Sequence, residues 1–341
     1  MKNQSFFAAC NSTEGFCSFF DELFFTDKYK KRLILKGGPG SGKSTFMKMI
    51  AKKAEDSGYT VTRYYCSSDA DSLDGVCVEE PGFCVIDGTP PHSCDGKYIG
   101  CTDNLADLGV FRDNSKLTIH AEKIRELAEK SKKAYAEAYK LLSCAGILYR
   151  AVQGLADERT DCRKLAKTAE RYCSRLGTDK DPTLEYRTVS ALTGDGIRTL
   201  CENFSDVKNV YYLAGSRFLS SQLIKLISER AECDRTVFRD PLLLHIPEAL
   251  LAGDTLFTNN IAMCARKNVH TLQCGNFSKH KKTNLECFES RCADMIVNNA
   301  EALLKTAKEA HAELERIYYG AMDFSSKEAY CEKLCDYLFG A

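Results

Sequence analysis

The sequence lacks the features that mark nucleic-acid-binding and membrane proteins. Its 341 residues contain 47 basic and 47 acidic side chains, so the formal net charge is zero. Without a basic excess, the composition does not support nucleic-acid binding. No apolar run reaches transmembrane length, and the apolar segment before Cys10 is too short for a signal peptide. We therefore expect a cytoplasmic protein that binds neither nucleic acid nor a membrane.

Paired C-x-x-C motifs are also missing, although the chain contains 18 cysteines. The cysteines are spread from Cys10 to Cys335. In a reducing cell, scattered cysteines are mostly small buried apolar side chains. The sequence therefore predicts free thiols and no disulfide framework.

The most specific motif is a glycine-rich segment near the N-terminus. Residues 37–44 match the phosphate-binding pattern G-x-x-x-x-G-K-[ST] at every fixed position. A short apolar strand is predicted before it and an amphipathic helix after it, which brings a helix N-terminus towards phosphate. In such a loop the amides and the lysine bind phosphates, and the Ser hydroxyl ligates Mg²⁺. The predicted ATP site consists of Gly37, Gly38, Pro39, Gly40, Ser41, Gly42, Lys43, Ser44 and Thr45.

Two acidic positions are candidates for the rest of the site. Four apolar residues, 83–86, end in Asp87, which is the pattern of a Walker B strand and lies 44 residues after Lys43. Its carboxylate is predicted to hold Mg²⁺ together with Ser44. Residues 67–75 are predicted to form an acidic loop at the carboxyl end of a strand, where open α/β sheets bind ligands. Asp69 in this loop is the alternative Walker B residue and a candidate to position the attacking water.

The remainder of the chain predicts helices and a repeat. From about residue 116, apolar residues recur at helical spacing among charges of both signs, which predicts an antiparallel helical hairpin over 116–176. After a linker at 177–182, residues 191–197 resemble 10–16, and 210–215 resemble 32–37. The predicted fold is α/β: a duplicated P-loop NTPase with a parallel sheet, three α/β/α layers and a long helical hairpin in each half. The predicted domains are 1–180 and 183–341.

The second half lacks the residues that would bind nucleotide. Its glycine-rich segment is reduced to one glycine, and Thr258 takes the Walker B position. Ser220 falls where Lys43 would be if the loop is one residue shorter. We therefore expect this half not to bind Mg·ATP. Arg217 and Arg187 are candidates for an arginine finger that reaches the first site.

These segments resemble a family of bacterial two-repeat P-loop ATPases or nucleotide-binding proteins of unassigned function. The resemblance lies in G-G-P-G-[ST]-G-K-[ST] at 37–44, C-S-S-D-x-x-S-L-D-G at 66–75, V-x-D-G-T-x-P-H at 85–92 and N-x-T-x-G-F at 11–16. It extends over essentially the whole chain and implies nucleotide binding. Both repeats can carry a P-loop in that family, whereas here the second has lost it.

Three functions are consistent with these features. The first is a Mg²⁺-dependent ATPase with one active site, whose helices couple nucleotide state to an unknown protein or small-molecule partner. The second is a small-molecule or nucleotide kinase, with Arg112, Arg150 and Arg159 available to close on the γ-phosphate. The third is a non-catalytic nucleotide-sensing module. ATP is favoured over GTP because the guanine-selecting N-K-x-D signature is missing.

Overall fold

Two six-stranded sheets, two small hairpins and eight α-helices make up the part of the chain that is described, residues 3–265 and 268–340 of a computed structural model. The strands of the first half are β1 (Gln4–Phe7), β2 (Ala9–Ser12), β3 (Gly15–Ser18), β4 (Lys31–Lys36), β5 (Val61–Tyr65), β6 (Leu73–Val78), β7 (Phe83–Asp87) and β8 (Asp103–Asp107). Those of the second half are β9 (Leu184–Arg187), β10 (Ser190–Thr193), β11 (Gly196–Thr199), β12 (Asn209–Ala214), β13 (Arg235–Arg239), β14 (Pro247–Ala252), β15 (Thr255–Thr258) and β16 (Val269–Gln273).

The helices differ greatly in length. They are α1 (Phe20–Phe24), α2 (Lys43–Asp56), α3 (Asn114–Thr118), α4 (Ala121–Glu158), α5 (Cys162–Cys173), α6 (Arg217–Arg230), α7 (Asn284–Tyr319) and α8 (Phe324–Phe339). Four 3-10 turns cover Leu108–Phe111, Cys201–Phe204, Ile261–Cys264 and Cys274–Phe277. None of these helices combines the length and the apolar character needed to cross a membrane.

The two sheets have the same strand order, which confirms the predicted duplication. The first sheet runs β1-β5-β6-β7-β4-β8, and the second runs β9-β13-β14-β15-β12-β16. The hairpins also match, since Ser12 pairs with Gly15 and Thr193 with Gly196. In each hairpin the hydroxyl donates to the paired glycine carbonyl, at 3.0 Å in the first and 2.8 Å in the second.

The predicted parallel sheet is wrong in one respect. Strand β6 runs antiparallel to both β5 and β7, and β14 does the same in the second half, so both sheets are mixed. The acidic loop expected over 67–75 ends early, because a turn at residues 69–72, closed by the Ser72 N–H to the Asp69 carbonyl, reverses the chain. As a result Asp74 is a buried strand residue.

The helical hairpin expected over 116–176 does not form. Helix α4 instead packs antiparallel along α7, with Arg159 beside Glu286 at one end and Lys123 beside Glu313 at the other. The chain turns after α4 because Asp161 caps α5, its side chain accepting from the Lys164 N–H. Sequence periodicity identifies an apolar helix face, but it does not identify the element that covers that face.

The helix after each long helix packs on the other half. Leu165, Ala169 and Tyr172 of α5 belong to the core built on α6 and the second sheet. Cys331, Cys335 and Leu338 of α8 belong to the core built on α2 and the first sheet, which also contains Phe46. The two halves are therefore linked by an exchange of helices that crosses the predicted boundary at 180–183.

The predicted three-layer arrangement of each half is also corrected. One core cluster contains inward-facing residues of both sheets, including Ile34 and Ile86 of the first and Val210 and Leu256 of the second. Helices α2 and α8 pack on the outer face of the first sheet and α6 and α5 on that of the second, while the long helices α4 and α7 pack mainly on each other. The inner faces meet a core shared by both halves, with α1 contributing phenylalanines. All 18 cysteines are free thiols.

Candidate functional site

The glycine-rich loop, residues 37–42, joins β4 to α2 at the carboxyl edge of the first sheet. Gly37, Gly40 and Gly42 have φ angles of +131°, +66° and +83°, which glycine adopts without strain and other residues do not. Gly42 is the N-cap of α2, and this helix start has no side-chain cap and no acidic residue in its first turn. The first N–H groups of α2 therefore form a positive helix end directed at the loop.

Lys43 is the first residue of α2 and its side chain turns back into the loop. Its ammonium donates to the carbonyls of Gly37 and Gly38, at 2.9 and 3.2 Å. It also lies 3.7 Å from Asp87 Oδ2, and the side chains of this ion pair are only 11% and 18% exposed. The two residues that motif spacing selected as the centre of the site are therefore neighbours.

Asp87 ends β7, the strand that pairs in parallel with β4. Thr89 fixes its orientation, donating to Asp87 Oδ1 from its N–H at 2.8 Å and from its hydroxyl at 2.6 Å. Burial raises the pKa of the Asp87 carboxyl above its usual value, although Lys43 and Thr89 act in the opposite direction. Because the surroundings disfavour the ionised Asp87 carboxylate, a bound cation at this carboxylate would stabilise its ionised form.

The residues of the loop fit a phosphate group. Ser41 is 2% exposed, and its hydroxyl has no hydrogen-bond partner within the described ranges. This hydroxyl fills the space where Gly37 would carry a Cβ. The Ser41 hydroxyl is a buried donor without an acceptor, and the glycines of the loop allow a ligand to approach the backbone N–H groups closely. Both features fit a phosphate group. Pro39 and Thr45 complete the predicted set, with Thr45 exposed and Pro39 partly buried.

A Mg²⁺ ion would have two protein oxygens at this site. Ser44 Oγ accepts a hydrogen bond from the Leu73 N–H at 3.0 Å, which leaves a lone pair for a cation. Asp87 supplies the carboxylate. The described residues contain no group of three His, Cys, Asp or Glu side chains arranged to hold a metal ion. Mg²⁺ bound with nucleotide does not need one, since phosphates and waters supply most of its ligands.

Asp69 makes its contacts away from Lys43. Its carboxylate accepts from the Ser72 hydroxyl at 2.7 Å and lies 3.7 Å from the Lys308 ammonium of α7. Lys308 is closer to Asp195, at 2.7 Å, in the hairpin of the second half. Asp69 therefore takes part in a contact between the halves. Another acidic residue of this segment, Asp74, lies 3.2 Å from His92 Nε2 within the protein interior.

The C-terminal helices contact the glycine-rich loop, and sequence analysis missed this. A Cβ on Gly40 would lie 2.6 Å from the Glu315 carbonyl oxygen of α7, and one on Gly38 would lie 3.4 Å from the Tyr318 ring. The ammonium of Lys327, from α8, would collide with a Cβ on Gly42. No motif marks these residues. Only the exchange of helices between the halves brings them to the loop.

Of the arginines considered as phosphate-binding candidates, one lies beside the glycine-rich loop and three form ion pairs. Arg112 Nη1 would lie 3.6 Å from a Cβ on Gly38, so this side chain is beside the loop. Arg217 forms a buried pair with Asp240 in the second half, its Nε donating at 2.6 Å. Arg187 pairs with Glu185 at 2.9 Å, and Arg159 pairs with Glu286 at 2.7 Å. These three guanidinium groups are held by carboxylates of their own.

The counterpart of the loop in the second half is four residues shorter. Two residues, Gly215 and Ser216, separate β12 from α6, whereas six separate β4 from α2. The position predicted for the Walker B counterpart is wrong by one residue. Ile34 pairs with Ile86, and the corresponding Tyr212 pairs with Thr258, so Asn259 and not Thr258 corresponds to Asp87.

The residue expected at the Lys43 position is wrong as well. Because the loop is four residues shorter, the first residue of α6, which corresponds to Lys43 in α2, is Arg217 and not Ser220. Arg217 is engaged with Asp240, and the Asn259 amide donates to the neutral Ser220 Oγ at 3.2 Å. A cavity of about 360 Å³ opens elsewhere in this half, and its lining includes Lys225, Arg235 and Arg239. It contains no residue of the first half and lies apart from the glycine-rich loop.

The fold and the site together define a duplicated α/β protein that carries a complete glycine-rich loop in one half. Comparison of the chain with family models, with curated proteins and with solved structures finds no match. The resemblance to two-repeat P-loop ATPases therefore stays a prediction from the motifs. The arguments for function come from the site itself.

Proposed function

We propose that this chain binds Mg·ATP at the glycine-rich loop of its first half and hydrolyses it there, while the second half binds none. The observation that carries the proposal is the meeting of Lys43 and Asp87 at the uncapped start of α2. A lysine, a positive helix end and a nearby carboxylate suit the phosphates and cation of a nucleotide. The partnerless hydroxyl of Ser41 gives independent support.

Each residue has a role in this proposal. Lys43 and the backbone N–H groups of the loop, which Pro39 lacks, bind the β- and γ-phosphates. The phosphates then replace the loop carbonyls as acceptors for the Lys43 ammonium. Ser44 and Asp87 hold Mg²⁺, which neutralises charge that develops on the phosphates. Asp69, at the carboxyl edge of the sheet, is proposed to orient water after it separates from Lys308. Its present contacts are the Ser72 hydroxyl and the Lys308 ammonium.

Nucleotide sensing without turnover is a second candidate, and a specific contact favours it. The Glu315 carbonyl of α7 packs against Gly40, so a conformational change of the loop would directly displace a helix of the other half.

The kinase hypothesis is supported by Arg112, which lies beside Gly38 in a position suited to a phosphate. Both candidates use the same loop. A kinase would transfer the γ-phosphate to a metabolite instead of to water, and a sensor would not transfer it at all.

The decisive experiment compares Mg·ATP binding and phosphate release by the wild-type chain, Lys43→Ala and Lys48→Ala. Lys48 is exposed on the same helix and is the matched control. We expect wild type and Lys48→Ala to bind ATP and release phosphate, and Lys43→Ala to do neither. Binding without release supports the sensor or the kinase, and labelled ATP with a metabolite panel separates these. ATP binding that survives Lys43→Ala, or no binding by the wild type, overturns the proposal.

A further inference from the structure

Lys327 is a buried lysine at the start of α2. It belongs to α8 near the C-terminus, it is 6% exposed, and its ammonium lies against Gly42, the residue before Lys43. The absence of a side chain on Gly42 is what makes room for it. The ammonium therefore reaches the loop from a different part of the chain than Lys43.

The Lys327 ammonium has no partner of its own. Within the described ranges it forms no ion pair and no side-chain hydrogen bond, and besides Gly42 it contacts the ring of Phe324, 4.8 Å from the centroid. The buried arginines are different, since Arg32 pairs with Asp103 and Arg159 with Glu286. A lysine that is 6% exposed and has no acceptor in the protein is unfavourable, and its position beside Lys43 and a positive helix end adds repulsion.

We propose that Lys327 is a phosphate-binding residue of the nucleotide site, contributed by the C-terminal helix. A polyphosphate at the loop supplies the anion that its ammonium lacks. This inference rests on the proposed nucleotide binding and extends it. Because α8 follows α7, which runs back from the second half, phosphate bound between Lys43 and Lys327 fastens the C-terminal helices to the first half. Nucleotide binding is thereby coupled to the packing of α7 and α8 against the first half.

The test measures the affinity of the full chain for Mg·ATP in Lys327→Met, Lys327→Arg and Lys333→Met. Methionine keeps the length of the side chain without the charge, and Lys333 is an exposed lysine of the same helix. Loss of a charge-assisted hydrogen bond to phosphate weakens binding about 10- to 100-fold. We expect this loss in Lys327→Met, partial recovery in Lys327→Arg and no change in Lys333→Met. Binding of AMP, which lacks the β- and γ-phosphates, is expected to change by less than about twofold.

Melting temperature without nucleotide separates a binding role from a structural one. Removing a buried charge that has no partner should leave the melting temperature of Lys327→Met unchanged or raise it. Wild-type affinity in Lys327→Met overturns the inference while leaving the proposed function intact, provided that Lys43→Ala has lost binding. Weaker binding together with a lower melting temperature in both Lys327 variants shows a structural role and also overturns it. Absence of ATP binding by the wild type overturns both proposals.

Discussion

Lys43 Nζ lies 3.7 Å from Asp87 Oδ2, whereas Asn259, the counterpart of Asp87 in the second half, donates to the neutral hydroxyl of Ser220. Asp87 ends β7 and Asn259 directly follows β15, and these two strands have equivalent registers. What differs is the charge and the length of the loop between strand and helix. The duplication has kept the framework in both halves and the charged pair in one.

Asp87→Asn gives the first half the residue that the second half has at the corresponding position, Asn259. The variant should lose Mg²⁺-dependent turnover by roughly two orders of magnitude, because a bound metal contributes several kcal/mol to transition-state stabilisation. Its stability should not fall, since burial raises the pKa of Asp87 and the ionised carboxylate opposes folding at neutral pH. Phosphate release over a Mg²⁺ titration, with a thermal melt of each protein, measures both effects. Unchanged Mg²⁺-dependent turnover would show that Asp87 is not the Walker B residue.

Asn259→Asp is the reciprocal control. It restores a carboxylate to the second half, but Ser220 supplies no positive charge and the loop is too short to wrap a phosphate chain. Turnover should therefore stay at the wild-type level. An increase in turnover, or a second nucleotide bound per chain, would contradict the expectation that this half is inactive.

The sequence predicts those parts of the molecule that are encoded by local patterns. The strand, glycine-rich loop and helix around Lys43 follow from consecutive residues, and the repeat follows from matching segments. Strand β6 was missed because Asp74 and Gly75 are typical loop residues, and only the buried contact with His92 explains an aspartate there. Lys327 could not be predicted, because its position depends on which half α8 packs against.

Gly40→Ala tests the contact between the loop and α7. Alanine would incur the strain of a φ angle of +66° and would also place its Cβ 2.6 Å from the Glu315 carbonyl oxygen. Gly58→Ala is the matched control, since φ is +82° and nothing lies within 4 Å of the added atom. Gly58→Ala should lower the unfolding free energy by about 1–2 kcal/mol, and Gly40→Ala should lower it clearly more. Equal denaturation midpoints for the two variants would rule out close packing of α7 on the loop.

Glu286→Gln tests the buried ion pair that joins the ends of α4 and α7. Arg159 Nη2 lies 2.7 Å from Glu286 Oε1, and the side chains are 9% and 2% exposed. Neutralising one partner leaves a buried guanidinium charge, which we expect to cost about 3–5 kcal/mol of unfolding free energy. Glu137→Gln, in an exposed pair with Lys140, should cost less than about 1 kcal/mol. Urea unfolding measures both, and similar midpoints would show that the buried pair does not stabilise the helix pairing.

Glu248 should make the stability of the protein depend on pH in an unusual direction. It is the buried counterpart of Asp74 in β14, and burial, with repulsion from Asp240 second, raises its pKa to about 8. The folded state therefore holds a proton that the unfolded state releases near pH 4.5, so stability falls as pH rises between these values. The slope from this group approaches about 1.4 kcal/mol per pH unit. Glu248→Gln keeps an acceptor for the Asn260 amide and removes the titration.

Urea unfolding at pH 5, 6.5 and 8 tests this expectation, with Glu232→Gln as an exposed control in the same half. The stability of wild type and Glu232→Gln should decline more steeply over this interval than that of Glu248→Gln. The difference in unfolding free energy between wild type and Glu248→Gln should be largest at pH 8. At that pH the wild-type carboxyl must ionise within the core or the chain must unfold. Parallel slopes for all three proteins would show that Glu248 is already ionised in the folded state. The Asn260 amide would then be sufficient to stabilise a buried charge that β14 otherwise isolates from water.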